Sequence, residues 1–182
     1  MNITFEERMR ESTERPRVYF DHAATTSPRP EVIDAVVETL RDDFGNPSSF
    51  YLEGHRAAKL LADSRAKIAA CLHVLPEEIF FTSCGTESDN WAIKGAAYAR
   101  KSKGRHLITT AIEHHAVLHS MEALECEGFD VTYLDVDHRG LLDPEKVREA
   151  IRDDTILVSV MMANNEIGTV LPIKEIGTIC RE

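Results

Sequence analysis

The chain of 182 residues is 43% hydrophobic and 29% charged, with 9 Gly and 7 Pro. That composition excludes fibrous and disordered classes and gives one architectural unit enough apolar material for a core. Its 31 acidic residues outnumber 21 basic ones for a formal charge of −10, a field that repels phosphate backbones and excludes nucleic acid as an expected partner. No run approaches the roughly 18–20 uninterrupted apolar residues of a membrane helix, and the charged start Met1-Asn2-Ile3-Thr4-Phe5-Glu6-Glu7-Arg8 has no apolar signal core behind it. A cytosolic protein without membrane association is expected. Cys71, Cys84, Cys126 and Cys180 form no CxxC pair and read as free thiols of a reducing compartment. The 8 histidines show no HExxH or paired Cys/His spacing, so no metal site is expected.

Residues 1–17 are dominated by charge and end in Arg15-Pro16-Arg17, where Pro16 blocks a continuing helix; they are expected to form an N-terminal arm. Residues 30–40 place Val32, Val36, Val37 and Leu40 at helical spacing, and residues 54–72 do the same with Ala57, Leu60, Leu61 and Ala69. Between them, Phe44-Gly45-Asn46-Pro47-Ser48-Ser49 reads as a turn-rich loop. A strand is expected over 78–82, a helix over 86–101 with its stripe near Trp91, Ala92, Ile93 and Ala96, and a strand over 106–110. A helix over 116–127 stopped by Gly128, a strand over 130–134, a helix over 144–152 and a strand over 155–162 follow. The nearly all-apolar run Ile156-Leu157-Val158-Ser159-Val160-Met161-Met162 predicts a strand buried on both faces. Ile173, Ile176 and Ile179 predict a last helix still under way at Glu182 with no closing Gly or Asn, which reads as an incomplete molecule. The alternation predicts an α/β fold over 18–182, with a mostly parallel sheet between helices.

Polar clusters fall where strands end. Thr82-Ser83-Cys84-Gly85-Thr86-Glu87-Ser88-Asp89-Asn90 lies between a strand and a helix. There Gly85 lets backbone approach a ligand, Thr86 offers a hydroxyl, and free amides at the helix start suit a phosphate. Plain capping by Ser83 or Thr86 explains the same pattern without a ligand. Ile112-Glu113-His114-His115-Ala116 follows the next strand, where an imidazole can stack on a flat cofactor, shuttle protons, or simply cap a helix. Met162-Ala163-Asn164-Asn165-Glu166-Ile167-Gly168 follows a third strand, as a ligand-facing group or as an Asn-stabilised turn.

With Phe20-Asp21-His22-Ala23-Ala24-Thr25-Thr26 and the 44–49 loop, these segments resemble, in order, the motifs of the cysteine desulfurases, pyridoxal phosphate enzymes of the class V aminotransferase group. The resemblance runs from Val18 to Glu182 and implies the large domain of the aspartate aminotransferase fold, incomplete in this chain. It implies that Gly85 and Thr86 bind the cofactor phosphate, His114 stacks on the pyridine ring and assists proton transfers, and Asn165 meets the phenolic oxygen. By the same resemblance Ala24 and Thr25 line the substrate side. The wording of the TESDN and NNEIG segments resembles the housekeeping and nitrogen-fixation branch. Cys84 stands where the family has a small residue and is expected to be tolerated, not catalytic. The family's Schiff-base lysine in a Ser-x-His-Lys segment is missing: Lys59, Lys67, Lys94, Lys101, Lys103, Lys146 and Lys174 all lack that context. The nucleophilic cysteine is missing with it, so the chain alone is expected to be inactive.

The implied activity is removal of sulfur from L-cysteine to give L-alanine and an enzyme persulfide for iron–sulfur cluster assembly. The implied partners are a C-terminal remainder of the enzyme, a second copy in a homodimer, and a sulfur-acceptor or scaffold protein. A selenocysteine lyase or other class V enzyme, and a catalytically inactive half acting as a binding module, are the alternatives.

Overall fold

The computed structural model describes residues 18–182, so the arm expected at 1–17 lies outside the described residues. The chain divides into two compact units, the first ending at Ile79 and the second spanning Phe80–Glu182.

In the first unit, helix α1 (Pro30–Asp42) starts on Pro30, whose ring pre-sets the backbone and whose missing N–H would have been unpaired at that position anyway. Its apolar stripe stays open: Val32, Ile33, Val36, Val37 and Leu40 are all exposed. Helix α2 (Leu52–Leu72) ends on His73, which adopts φ 56° so that its N–H reaches back to the Ala69 and Ala70 carbonyls. The 44–49 loop folds onto the start of α2 so closely that a Cβ on Gly54 would collide with the Ser49 carbonyl and one on Gly45 with that of Glu53. A 3₁₀ turn, Pro76–Glu78, follows, and Arg65 donates to the Ile79 carbonyl at 3.2 Å.

The second unit opens with α3 (Gly85–Arg100), followed by β1 (His106–Thr110), α4 (His115–Cys126), β2 (Asp130–Leu134), α5 (Pro144–Ala150), β3 (Thr155–Ser159) and α6 (Ile173–Ile179). The three-stranded sheet has the order β2-β1-β3, and β1 pairs with both neighbours in parallel. Leu107 and Ile108 point to opposite faces, as successive strand residues must. Leu107 joins Ile93, Ala97, Val117, Met121, Leu124 and Phe129 beneath α3 and α4. Ile108 joins Leu134, Leu142, Val147, Leu171, Ile176 and Ile179 beneath α5 and α6. Leu107, Ile108, Met121, Leu124 and Val147 are fully buried, each worth about 1.5–3 kcal/mol.

One expected element is absent and one is shorter than expected. Residues 78–82 are not a strand among the described residues: Glu78 closes the 3₁₀ turn, and Phe80 and Phe81 are exposed. The expected strand at 155–162 is observed as β3 over Thr155–Ser159, half-buried, its last ladder pair being Thr109 with Ser159. The strand buried throughout is β1. The last helix, α6, is followed by Cys180, still helical in its backbone angles and donating to the Ile176 carbonyl, and by Arg181, donating to that of Thr178. Among the described residues no helix is long and apolar enough to cross a membrane, and no group of three or more His, Cys, Asp or Glu side chains could hold a metal ion.

Candidate functional site

The carboxyl ends of β1 and β3 and the amino end of α3 carry the polar clusters of the second unit. In open α/β folds this is the edge where ligands bind.

At the start of α3, Cys84 occupies the N-cap in an extended conformation and Gly85 is the first helical residue. The capping role expected of Ser83 or Thr86 is not taken up. Ser83 lies ahead of the cap, and its N–H and hydroxyl both donate to the Glu87 carboxylate, at 2.6 and 2.7 Å. Thr86 sits inside the first turn, exposed, its hydroxyl without a partner among the described residues. No side chain closes a capping hydrogen bond on this turn, and the first intrahelical bond is Ser88 N–H to the Cys84 carbonyl. The amides ahead of it make a positively polarised end. Hydrogen bonds from the Glu87 amide and then the Ser83 hydroxyl hold the Cys84 thiol below its usual range, against burial and the Glu87 charge. A side chain at Gly85 would meet nothing within 4 Å, so the space before these amides is open. The site therefore favours an anion.

At the end of β1, His114 is the N-cap of α4. Its Nδ1 accepts the Ala116 N–H at 3.1 Å, which leaves Nε2 as the protonated, outward nitrogen of the neutral ring. The ring is exposed and inclined at 60° to that of His115. Capping and ligand contact are thus compatible roles for one imidazole. At the end of β3, Asn164 is buried and builds the turn: its Oδ1 accepts the N–H groups of Glu166 and Ile167 at 2.9 and 3.0 Å. Its neighbour Asn165 is exposed, with Nδ2 donating to the Glu166 carboxylate at 3.1 Å and Oδ1 left open.

Two hydrogen bonds join these strand ends. Glu113 Oε1 accepts from Thr110 Oγ1 at 2.7 Å and from Met161 N–H at 2.9 Å. Asn164 Nδ2 donates to the Ile112 carbonyl at 2.9 Å. Burial pushes the Glu113 carboxyl above its ordinary range, the Met161 N–H and Thr110 hydroxyl oppose that, and Asp89 of α3 adds to it. The structure therefore brings the His114 and Asn165 segments together through their buried neighbours. Ala24 and Thr25 belong to the first unit, where both donate their N–H to the Asp21 carbonyl in an exposed turn.

The Asn-stabilised turn offered as one reading of 162–168 is built by Asn164, whereas the buried role of Glu113 escapes the sequence reading. The spacing Thr110-x-x-Glu113 just after a strand was the available signal, since it lets a carboxylate fold back onto a strand-end hydroxyl.

The aminotransferase class-V family profile matches residues 18–182. A cysteine desulfurase IscS of Methanosarcina thermophila is 55% identical over 171 residues, covering 94% of this chain and 42% of the relative. The putative cysteine desulfurase IscS 1 of Bacillus subtilis is 54% identical over 91% of this chain and 44% of its own length. The chain thus spans less than half the length of these curated relatives. Among solved structures, a NifS-like protein superposes with a TM-score of 0.88 at 43% identity, covering 91% of this chain and 46% of that one. SspA in complex with cysteine gives 0.84 at 42% identity, covering 90% and 47%.

Proposed function

The chain belongs to the class V aminotransferase family, and from that premise we infer that it forms the cofactor-holding part of a cysteine desulfurase. Both units are read as parts of the large domain of a fold shared with the NifS-like protein. The observation that carries the reading is an uncapped, anion-favouring helix end opening on Gly85, set in a chain more than half identical to proteins named cysteine desulfurase.

Pyridoxal phosphate fits the groups present. The α3 amides with Gly85 and the unpartnered Thr86 hydroxyl would hold its phosphate, the exposed imidazole of His114 its ring, and the open Oδ1 of Asn165 its phenolic oxygen. When bound, pyridoxal phosphate supplies an electron sink for the carbon skeleton of an amino acid. His114, with Nδ1 committed to the Ala116 amide, would present Nε2 as its proton-carrying atom. Ala24 and Thr25 keep the substrate-side role that the resemblance implies. In the proposed net reaction the carbon–sulfur bond of L-cysteine breaks, the carbon takes a proton to give L-alanine, and the sulfur joins an enzyme thiol as a persulfide. None of the lysines here has the family's anchoring context, and no cysteine of this chain is assigned as the persulfide carrier. Those groups are assigned to a further part of the protein, which we read as a homodimer passing sulfur to an acceptor for iron–sulfur cluster assembly.

The test is co-expression of this chain with the complementary C-terminal half of a 55% identical relative. L-Alanine release from L-cysteine in the presence of pyridoxal phosphate and a thiol reductant is the expected result. A stable complex that binds the cofactor and releases no alanine overturns the desulfurase reading.

A further inference from the structure

Glu113 is 7% exposed, carries an ionisable group, and has no cationic partner among the described residues. Burying a carboxyl without a cation is costly, and a neutral or apolar side chain would serve packing better. One of its oxygens is nevertheless shared by the Thr110 hydroxyl of its own strand end and the Met161 N–H, 48 residues away. Met161 lies past the last ladder pair, Thr109 with Ser159, so this bond extends the β1–β3 connection where the ladder has stopped. A second bond crosses in the opposite sense, from Asn164 Nδ2 to the Ile112 carbonyl, 52 residues apart. In each segment the buried residue is followed directly by the exposed one: Glu113 by His114, Asn164 by Asn165.

The geometry points to Glu113 as a positioning residue that fixes the His114 and Asn165 side chains relative to each other across the β1–β3 seam, a role that rests on the cofactor site proposed above. Glu113 meets no ligand itself. It acts by holding the Met161 segment so that the turn built by Asn164 presents Asn165 at one spacing from His114. A glutamine can supply the same acceptor oxygen to both donors, whereas an alanine supplies none.

The test compares E113A and E113Q in the full chain by NMR of the Asn165 side-chain amide and the His114 ring, and by calorimetric titration with pyridoxal phosphate. In E113A both signals are expected to move, and affinity to fall by about tenfold, the scale of losing one buried hydrogen bond. E113Q is expected to restore both. A folded E113A with unmoved signals and unchanged affinity overturns the proposal. Should E113A fail to fold, hydrogen exchange in the unaltered chain decides: a Met161 N–H as protected as the β1 ladder amides supports the link, and one exchanging like an open loop overturns it. Absence of cofactor binding by the unaltered chain counts against the cofactor reading alone, and the NMR signals still decide the positioning role.

Discussion

The two ends of the parallel sheet solve the same problem in opposite ways. At the amino end, His106 is wholly buried with both ring nitrogens engaged, by Thr155 Oγ1 at 2.7 Å and Thr132 Oγ1 at 2.9 Å, so one imidazole ties β1 to both neighbours. Arg152 lies at this end too, pairing with Asp130 at 2.6 Å and Asp154 at 3.0 Å. At the carboxyl end, Glu113 and Asn164 make a comparable set of buried bonds, yet the next residue of each segment, with Gly85 and Thr86, is exposed. A polar network that satisfies itself contributes stability, and one with donors left over is arranged for something else to satisfy them. Both ends rest on the same core, so the difference lies in the side chains at the strand termini.

Substitutions at the two ends should therefore separate stability from binding. The largest effect is expected for His106→Ala, which opens a cavity and strands two hydroxyls: a loss of about 2–4 kcal/mol in urea denaturation, with pyridoxal phosphate affinity unchanged in protein that remains folded. Thr86→Val should do the converse, weakening cofactor binding by about 1–3 kcal/mol in calorimetry while the denaturation midpoint stays put. A midpoint shift with constant affinity would reverse the roles assigned to the two ends.

Titration offers a subtler contrast. Burial, then Arg152, lowers the His106 pKa against the opposing pull of Asp130 and Asp154. Folding therefore favours the neutral ring, and its contribution is present above the ordinary imidazole pKa and lost as pH falls toward the lower folded-state value. Glu113 runs the other way: its raised pKa means that folding favours the protonated acid, a contribution complete below the ordinary glutamate value and lost as pH rises through the folded one. Stability measured against pH should lose its acid-side slope in a His106→Asn variant, and E113Q should remove the opposing slope. Profiles identical to the unaltered chain would show that neither group titrates as described. The smallest effect is expected for Arg152→Ala, whose ion pairs are exposed and screened: no measurable change in midpoint at high salt, and a small loss at low salt.

How far the residues alone reach is clear from particular elements. The boundaries 106–110 and 130–134 coincide with β1 and β2, because alternation and flanking turn residues are local signals. Most helices appear within a few residues of their expected limits for the same reason. Residues 78–82 carry as apolar a pattern as β2 and yet are not a strand among the described residues. The segment 155–162 forms a shorter strand than its apolar run, because the ladder with β1 ends at Ser159. At the start of α3 the cap falls on Cys84, and Ser83 is drawn away by the Glu87 carboxylate.

His114 and Asn165 are legible as polar groups after strands, Gly85 and Thr86 as the start of a helix, and family likeness supplies their roles. What holds two of them together is not legible, because Glu113 meets Met161 and Asn164 meets Ile112 only after β1 and β3 have paired across an intervening helix–strand–helix excursion. The alternation of elements and the chemistry at their ends are set locally, both functions of neighbouring residues. Which polar groups are consumed in holding the frame is settled by packing across the β1–β3 seam. Burial and long-range pairing depend on the whole packed sheet rather than on any stretch of the chain.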